Sequence, residues 1–553
     1  MTIYSVHFST RITPQQEQAL PTQVKNSEGG YVFKLDCWKR LDRWLILGAE
    51  GGTYYASEKE LTKNNAQTIL ECLNMDGVRT VETIVSVSVE GRAPKNAPAI
   101  FALAMATGHN DVPTRRAALA ALPAVCRTGT DLFAFVQTVK NFRGWGRGLR
   151  KAVAQWYQGK PYDKLAYQVL KYQNRNGWSH RDVLRLAGGE LKEQSPRHAA
   201  IYRWVVDGFN GFGDQPRFVE IKKGTERIRR GYTPISSELL PSQIMAYEQI
   251  KNVKSEREAI ALIRDYKLTH EMVPNQFKNS PEVWEALLED MPLTALMRNL
   301  GKMSNVGLLK PLSSAVTSVV SKLTDVERIR KARIHPLAAL VASVTYSRGH
   351  GVKGSLRWDV VTQVDEALQE LFYTAFKTIE PTHRKILIGL DVSGSMSLGE
   401  VGGMTGITPM MAAATMCMVT ARSETQYQIM AFSHTFVPFP LSKNDSTRDV
   451  LKKTTELPFG GTDCSLPMVW ATERKIEVDA FLVYTDNETH HGRLHPYQAL
   501  EQYRQKMGRP AKLIVVGMTA TGFSIANPED AGMLDVVGFD TAAPKVMADF
   551  IRS

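Results

Sequence analysis

Cysteine is scarce in this chain and long apolar runs are missing, and each shortage narrows what the protein can be. Five cysteines in 553 residues (Cys37, Cys72, Cys126, Cys417 and Cys464) are scattered and never spaced C-x-x-C. That argues against a disulfide framework or a thiolate zinc site, and for a reducing compartment. No stretch reaches the roughly 18 consecutive apolar residues of a spanning helix, so no membrane association is expected. Met1-Thr2-Ile3-Tyr4-Ser5 lacks the basic stretch and apolar core of a secretory leader, and a cytoplasmic location is expected. Catalytic signatures are absent as well: there is no G-x-S-x-G, Walker loop, H-E-x-x-H or Cys/His nucleophile arrangement, so no enzyme is expected.

What is present begins with charge. The net charge is +12, yet from Pro381 onward 16 Lys and Arg face 18 Asp and Glu. The first 380 residues therefore carry a net +14, an asymmetry that suits a polyanion partner for that part of the chain.

Between about Ala99 and Gly208 one grammar recurs: a cap residue, an amphipathic run, then glycine. Thr114 opens a run through Leu119 and Leu122, Thr130-Asp131 another through Leu132 and Phe135, and Asp163 a third that ends near Gly177. Ser179 caps Val183 and Leu184 before Gly188. Such ends satisfy orphan backbone groups, and helices this short must bury a face on neighbours. Similar helices at Glu282–Glu289 and Asp365–Thr378, with almost no strand signal over some 350 residues, imply an α-solenoid of degenerate, HEAT-like repeats over residues 1–380.

After Glu380-Pro381 the grammar changes. Strand-like runs Ile386–Leu390, Tyr427–Phe432, Phe481–Thr485 and Leu513–Gly517 alternate with helical segments, which predicts a doubly wound α/β domain over residues 381–553. Ligands of such sheets bind beyond the carboxyl ends of the strands. There lie Asp391-Val392-Ser393-Gly394-Ser395 and Thr485-Asp486, with Gly460-Gly461-Thr462-Asp463 between them in sequence. Ser393, Ser395 and Thr462 are the expected direct ligands of a hard divalent cation, Mg²⁺ above all, with Asp391 and Asp486 holding waters or hydroxyls behind them. The pattern resembles the metal-ion-dependent adhesion site (MIDAS) of von Willebrand factor A domains. His490 and His491 follow closely, but a solvated loop explains them more simply than a catalytic role.

The basic half carries two unusual segments. Phe142-Arg143-Gly144-Trp145-Gly146-Arg147-Gly148-Leu149-Arg150-Lys151 mixes cations, aromatics and glycines, as single-strand nucleic-acid binding requires. Lys171 and Arg175 stand four apart, on one helix face by this reading, with Tyr172 and Trp178 beside them. Lys222, Lys223, Arg227, Arg229 and Arg230 form a further basic stretch. A solvated basic face with core tryptophans is the plainer explanation of either segment alone; two in the +14 half favour RNA.

At these residues the chain resembles the Ro autoantigen family, in which a TROVE module joins a von Willebrand A domain. The resemblance is carried by Leu47-Gly48-Ala49-Glu50-Gly51-Gly52-Thr53-Tyr54-Tyr55, Gly144-Trp145-Gly146-Arg147, Arg175-Asn176-Gly177-Trp178-Ser179-His180 and Met291-Pro292-Leu293-Thr294-Ala295-Leu296. Arg333-Ile334-His335-Pro336, Gly460-Gly461-Thr462-Asp463-Cys464-Ser465 and Tyr484-Thr485-Asp486-Asn487-Glu488-Thr489 match too. It implies a monomeric closed ring of HEAT-like helices bridged by the A domain. It also implies a small noncoding Y-like RNA on the exterior, single-stranded 3′ ends of misfolded RNA in the central hole, and an exoribonuclease partner such as polynucleotide phosphorylase. By position, Lys171 and Arg175 are the Y-RNA contacts, and a third, a histidine in animal relatives, is Gly188 here. Arg181 and Arg185 could compensate for it. His180 counts among the RNA candidates with Arg143, Arg147 and Arg150. The competing expectation, from a different class, is a protein-binding adaptor whose open metal position captures a partner's acidic residue.

Overall fold

The computed structural model describes residues 12–48, 58–192, 194–212, 217–223, 226–232, 235–352, 354–376, 380–401, 406–443, 445–456 and 460–553. The family-like segment Ala49–Tyr55 lies outside them. The described chain divides into two compact units.

One unit holds Asp76–Val89 and Ala99–Val316. It is built of short helices, among them Ala97–Thr107, Val112–Val125, Gly129–Val139, Arg147–Gln158 and Tyr162–Lys171, continuing through Pro281–Glu289 and Leu293–Asn305. Their starts are specified locally. Asp111 caps the second of these helices and Thr128 the third, the latter through a reciprocal box with Asp131. Both caps lie a few residues ahead of the Thr114 and Thr130 starts expected from sequence. Trp156, Tyr157, Phe133 and Phe135 are fully buried and form part of the core on which the helices pack.

The other unit holds the described residues up to Met75, Glu90–Pro98 and Thr317–Ser553. Strands β1 (Gln23–Lys25) and β2 (Tyr31–Lys34) belong to it, whereas two hairpins, β3 (Asn174–Arg175) with β4 (Trp178–Ser179) and β5 (Arg217–Lys223) with β6 (Glu226–Tyr232), belong to the helical unit. These short strands correct the expectation of an almost strand-free first 350 residues. Of the further basic stretch, Lys222 and Lys223 lie in β5 and Arg227, Arg229 and Arg230 in β6.

The sheet of the second unit runs in the order β13 (Met533–Val537), β11 (Lys512–Gly517), β10 (Ala480–Thr485), β7 (Ile386–Asp391), β8 (Tyr427–Phe432), β9 (Phe436–Pro438). All neighbours are parallel except β9, which returns antiparallel to β8. From β7 the chain winds outward to β9, returns at β10 and winds outward again to β13. The switch point is therefore the β7–β10 gap, where two loops diverge and leave room for a ligand. Every residue of β7 and β10 is buried, as expected of central parallel strands.

This unit reaches back to the start of the chain. β12 (Phe523–Ser524) pairs antiparallel with β2, which also pairs with β1. Val32 and Phe33 enter the same core as Leu387, Phe432 and Phe481, and Phe33 meets Tyr497 edge-on at 5.6 Å. In the helix Cys37–Leu47, Arg43 is 1% exposed and bonds Asp535 Oδ1 (2.5 Å) and the carbonyls of Thr521 (3.0 Å) and Phe523 (2.9 Å). Thus residues ahead of the 380/381 boundary expected from sequence complete the A-domain core.

Candidate metal centre and nucleic-acid interface

Asp391 ends β7, and Asp486 follows β10 in the adjacent parallel strand, so the two carboxylates arise side by side at the carboxyl edge. Ser393 donates its backbone N–H to Asp391 Oδ1 at 2.9 Å, the tight turn that a D-x-S sequence permits. Its hydroxyl lies 3.1 Å from that of Ser395, whose side chain in turn bonds Asp486. Thr462 is buried, and its carbonyl accepts the N–H groups of His490 (3.0 Å) and His491 (2.9 Å), which ties its loop to the Asp486 loop. All five candidate ligands are therefore buried at the switch point.

Burial dominates the electrostatics there. It pushes Asp391 well above the ordinary carboxylate range, reinforced by the neighbouring Asp486 and opposed by its hydrogen bonds to Ser393 and Thr485. Asp486 is raised by burial too. Two desolvated carboxylates answered mainly by hydroxyls and amides make a site short of positive charge. No group of three or more His, Cys, Asp or Glu side chains suited to a metal exists among the described residues. The donor set is thus neutral oxygens with carboxylates behind them, which fits Mg²⁺ and not zinc.

Thr485 stood in the sequence only as the neighbour of Asp486, and Gln15, Asn26 and Ser27 carried no signal of their own. Thr485 donates to Asp391 Oδ2 at 2.6 Å, fixing the carboxylate from the neighbouring strand. Gln15 Nε2 donates to Asp463 Oδ1 (2.8 Å) while its Oε1 accepts from the Thr489 hydroxyl (2.6 Å), clamping the Thr462 and Asp486 loops together. Asn26 and the N–H of Ser27 hold Thr489 and Glu488 from the same early segment. His490 lies 3.7 Å from Glu28, a contact within a polar loop.

The basic candidates divide differently from the sequence reading. The helix of Lys171 stops at that residue, and Arg175 stands on β3 of a two-residue hairpin. Asn176 and Gly177, with φ of +54° and +76°, form the tip. Asn-Gly is the strongest tight-turn dipeptide, so the shared helix face expected of Lys171 and Arg175 is corrected to a helix end and a hairpin. Trp178 pins the hairpin by donating to Gln137 Oε1 at 2.9 Å. Ser179 then caps His180–Ala187, on which Arg181 and Arg185 are exposed one turn apart. Lys171 is half-buried beneath Tyr167 and Tyr172, while Arg175 is exposed.

His180 does not join that surface. It is 2% exposed, stands 4.7 Å from the Phe133 ring, and its Nδ1 lies 2.9 Å from the Tyr157 hydroxyl. Burial pushes it down to about 3, so it is a neutral core histidine. Arg143 also turns inward, donating to the Thr107 carbonyl at 2.7 Å and thereby capping the helix Ala97–Thr107. Arg147, Arg150 and Lys151 remain exposed in the first turns of Arg147–Gln158, a helix whose cap Gly146 offers no side-chain acceptor. Arg147 reaches Glu190 Oε1 at 3.0 Å while 88% exposed.

A D-x-S-x-S turn at the switch point of a parallel sheet, with Thr and Asp from two later loops, defines a von Willebrand A-type domain, here following a helical region. The TROVE domain matches residues 24–347 and the Ro60 vWA domain residues 385–551. The chain belongs to the Ro60 family. It is 40% identical over 541 residues to the RNA-binding protein RO60 of Deinococcus radiodurans, covering 98% of this chain and 97% of that one. To the RNA-binding protein RO60 of Caenorhabditis elegans it is 35% identical over 594 residues, covering 98% and 92%. The crystal structure of the Deinococcus radiodurans RO (RSR) protein matches with a TM-score of 0.67 at 40% identity, covering 94% of this chain and 99% of that one. Among the described residues no helix is long and apolar enough to cross a membrane.

Proposed function

We propose that this chain is a non-enzymatic RNA-binding protein that holds a small structured, Y-like RNA on the Lys171–Arg185 surface. The observation that carries this reading is the exposed guanidinium row of Arg175, Arg181 and Arg185 around a Trp178-anchored hairpin, in a chain of the family whose relatives are named RNA-binding proteins. A rigid hairpin presents cations at fixed spacing, which suits a folded phosphate backbone.

Single-stranded 3′ ends of misfolded RNA bind at a second place, the start of Arg147–Gln158. Three exposed cations stand at the positive end of a helix dipole, where the single Glu190 carboxylate on Arg147 leaves a net positive charge that phosphates would answer. With these two activities the protein acts as a cytoplasmic scaffold in RNA quality control and decay, presenting RNA to an exoribonuclease of the polynucleotide phosphorylase type. In the A domain Ser393, Ser395 and Thr462 hold Mg²⁺, with Asp391 and Asp486 orienting the hydroxyls and waters around it. The cation supplies a positive, exchangeable position for a partner's oxygen; Asp391 and Thr485 keep the ligand turn in place.

The test is a salt titration of a structured small RNA and of a single-stranded tail against Lys171→Ala/Arg175→Ala and Arg147→Ala/Arg150→Ala. The first pair should weaken the structured RNA more, and the second the tail. Each lost phosphate contact should flatten the slope of log K against log salt by roughly 0.9 for duplex and 0.7 for single strands. Equal losses for both RNAs in both variants would leave one undivided basic surface and end the two-site reading.

A further inference from the structure

Arg333-Ile334-His335-Pro336 serves neither the metal centre nor the basic surfaces. It connects the helices Val326–Ala332 and Pro336–Ser347. His335 is buried, with Nε2 at 3.1 Å from the Arg92 carbonyl oxygen and 2.9 Å from that of Phe539, while Nδ1 accepts the Leu337 N–H at 3.1 Å. The proton therefore sits on Nε2, and one imidazole joins three chain segments. Arg92 reinforces the joint with a forked pair to Asp540, at 3.1 Å through Nε and 2.7 Å through Nη2. All three segments contribute to the wall of a single cavity of about 750 Å³, which the helices Thr362–Thr374 and Pro409–Ser423 complete.

We propose that this cavity is a binding site for a nucleoside phosphate, taken either as a free nucleotide or as the terminal nucleotide of an RNA strand. The volume is that of a small-molecule site. Arg330, Arg333 and Arg422 line it, and guanidinium forks match phosphate oxygens two at a time. Arg422 is set in advance: its guanidinium stacks on Tyr373 at 3.4 Å and its Nε donates to the Lys443 carbonyl at 3.1 Å. Ile334, Phe376 and Val419 give an apolar floor on which a base can lie. Glu90 and Glu370 also line the wall, where carboxylates would repel a bare polyanion but accept hydrogen bonds from ribose hydroxyls or a base amino group. An apolar floor, a guanidinium group and carboxylate acceptors in one cavity are the complement of a nucleotide.

Arg333 has a φ of +50° at the end of Val326–Ala332, a helix-ending position where glycine is the unstrained choice.

Arg333→Gly removes the guanidinium and relaxes the backbone, Arg422→Lys removes a second guanidinium fork without touching that backbone, and a thermal melt of each variant reports folding apart from binding. Equilibrium dialysis of the full chain with radiolabelled adenosine 5′-monophosphate measures the site, with adenosine and inorganic phosphate as single-feature controls. Adenosine monophosphate should bind at least about tenfold more tightly than either control. Arg333→Gly and Arg422→Lys should each weaken it by about tenfold or more, with both variants still melting cooperatively as folded protein. Competition by 5′-phosphorylated pentaadenylate assigns the source: stronger displacement than unlabelled nucleotide means an RNA terminus, weaker displacement a free nucleotide. No binding of the nucleotide, binding no tighter than inorganic phosphate, or wild-type binding by Arg333→Gly would overturn the proposal.

Discussion

Arg43→Ala should destabilise the A-domain unit more than almost any substitution within the A domain's own sequence. The guanidinium is 1% exposed, its Asp535 partner has a side chain 4% exposed, and Nη1 reaches three further acceptors, two of them carbonyls. Truncation leaves a buried carboxylate and two carbonyls without their donor, a loss of about 3–5 kcal/mol. That is a large share of the roughly 5–15 kcal/mol that holds a domain together. With a urea slope of about 2 kcal/mol per molar, the unfolding midpoint should drop by about 2 M. Burial already raises the Asp535 carboxyl against the pull of Arg43. Without Arg43 it should rise further, so the unit gains relative stability below the ordinary carboxylate range and loses it as pH rises. The deficit of Arg43→Ala should therefore be smaller at pH 5 than at pH 8. Arg43→Met with Asp535→Leu should recover much of the loss, because a well-packed apolar pair replaces a desolvated ionic one. Urea melts of the full chain followed by tryptophan fluorescence, at both pH values, make the measurement. A loss below about 1 kcal/mol, or one independent of pH, would refute the claim that the early helix belongs to the A-domain core.

Asp391→Ala or Thr462→Ala should abolish one bound divalent ion per chain, and Mn²⁺ should substitute for Mg²⁺; crystals soaked in Mn²⁺ without an anomalous peak beside Ser393 and Ser395 would count against the site. His335 is pushed down to about 4 by burial, so its contribution is full above pH 6.5 and is lost as pH falls toward 4, about 3 kcal/mol in all. His335→Gln should flatten that acid limb in a series of thermal melts, and an unchanged limb would exclude His335 as its source.

The long periodic elements and the change of grammar near residue 380 were readable because hydrophobic spacing alone specifies them. Strand β8 lies where the alternation placed it. Asp391, Ser393, Ser395, Thr462 and Asp486 were legible because they sit in short motifs, and the parallel sheet brings them to one edge. Arg175 was misplaced because spacing of four suggested a helix, whereas Asn176-Gly177 demands left-handed backbone and a turn. His180 and Arg143 were misjudged since a sequence shows residue type but not direction: one faces Tyr157 and the other caps a helix. Gln15, Asn26 and Arg43 could not be found at all, because their partners lie more than 440 residues away.

Pairing of β2 with β12 has a consequence for biosynthesis. Arg43 and Thr521 are 478 residues apart, so at roughly 5–20 residues per second the early strands wait between about 25 and 95 s for their partners to leave the ribosome. During that time β2 offers an unpaired edge, and Val32 and Phe33 have no core to enter. The helical unit, whose contacts are local, can consolidate in the interval. A nascent chain of this protein should therefore hold a folded helical unit while β2 awaits β12, and chaperones should engage the segment around Val32 and Phe33 until β12 emerges.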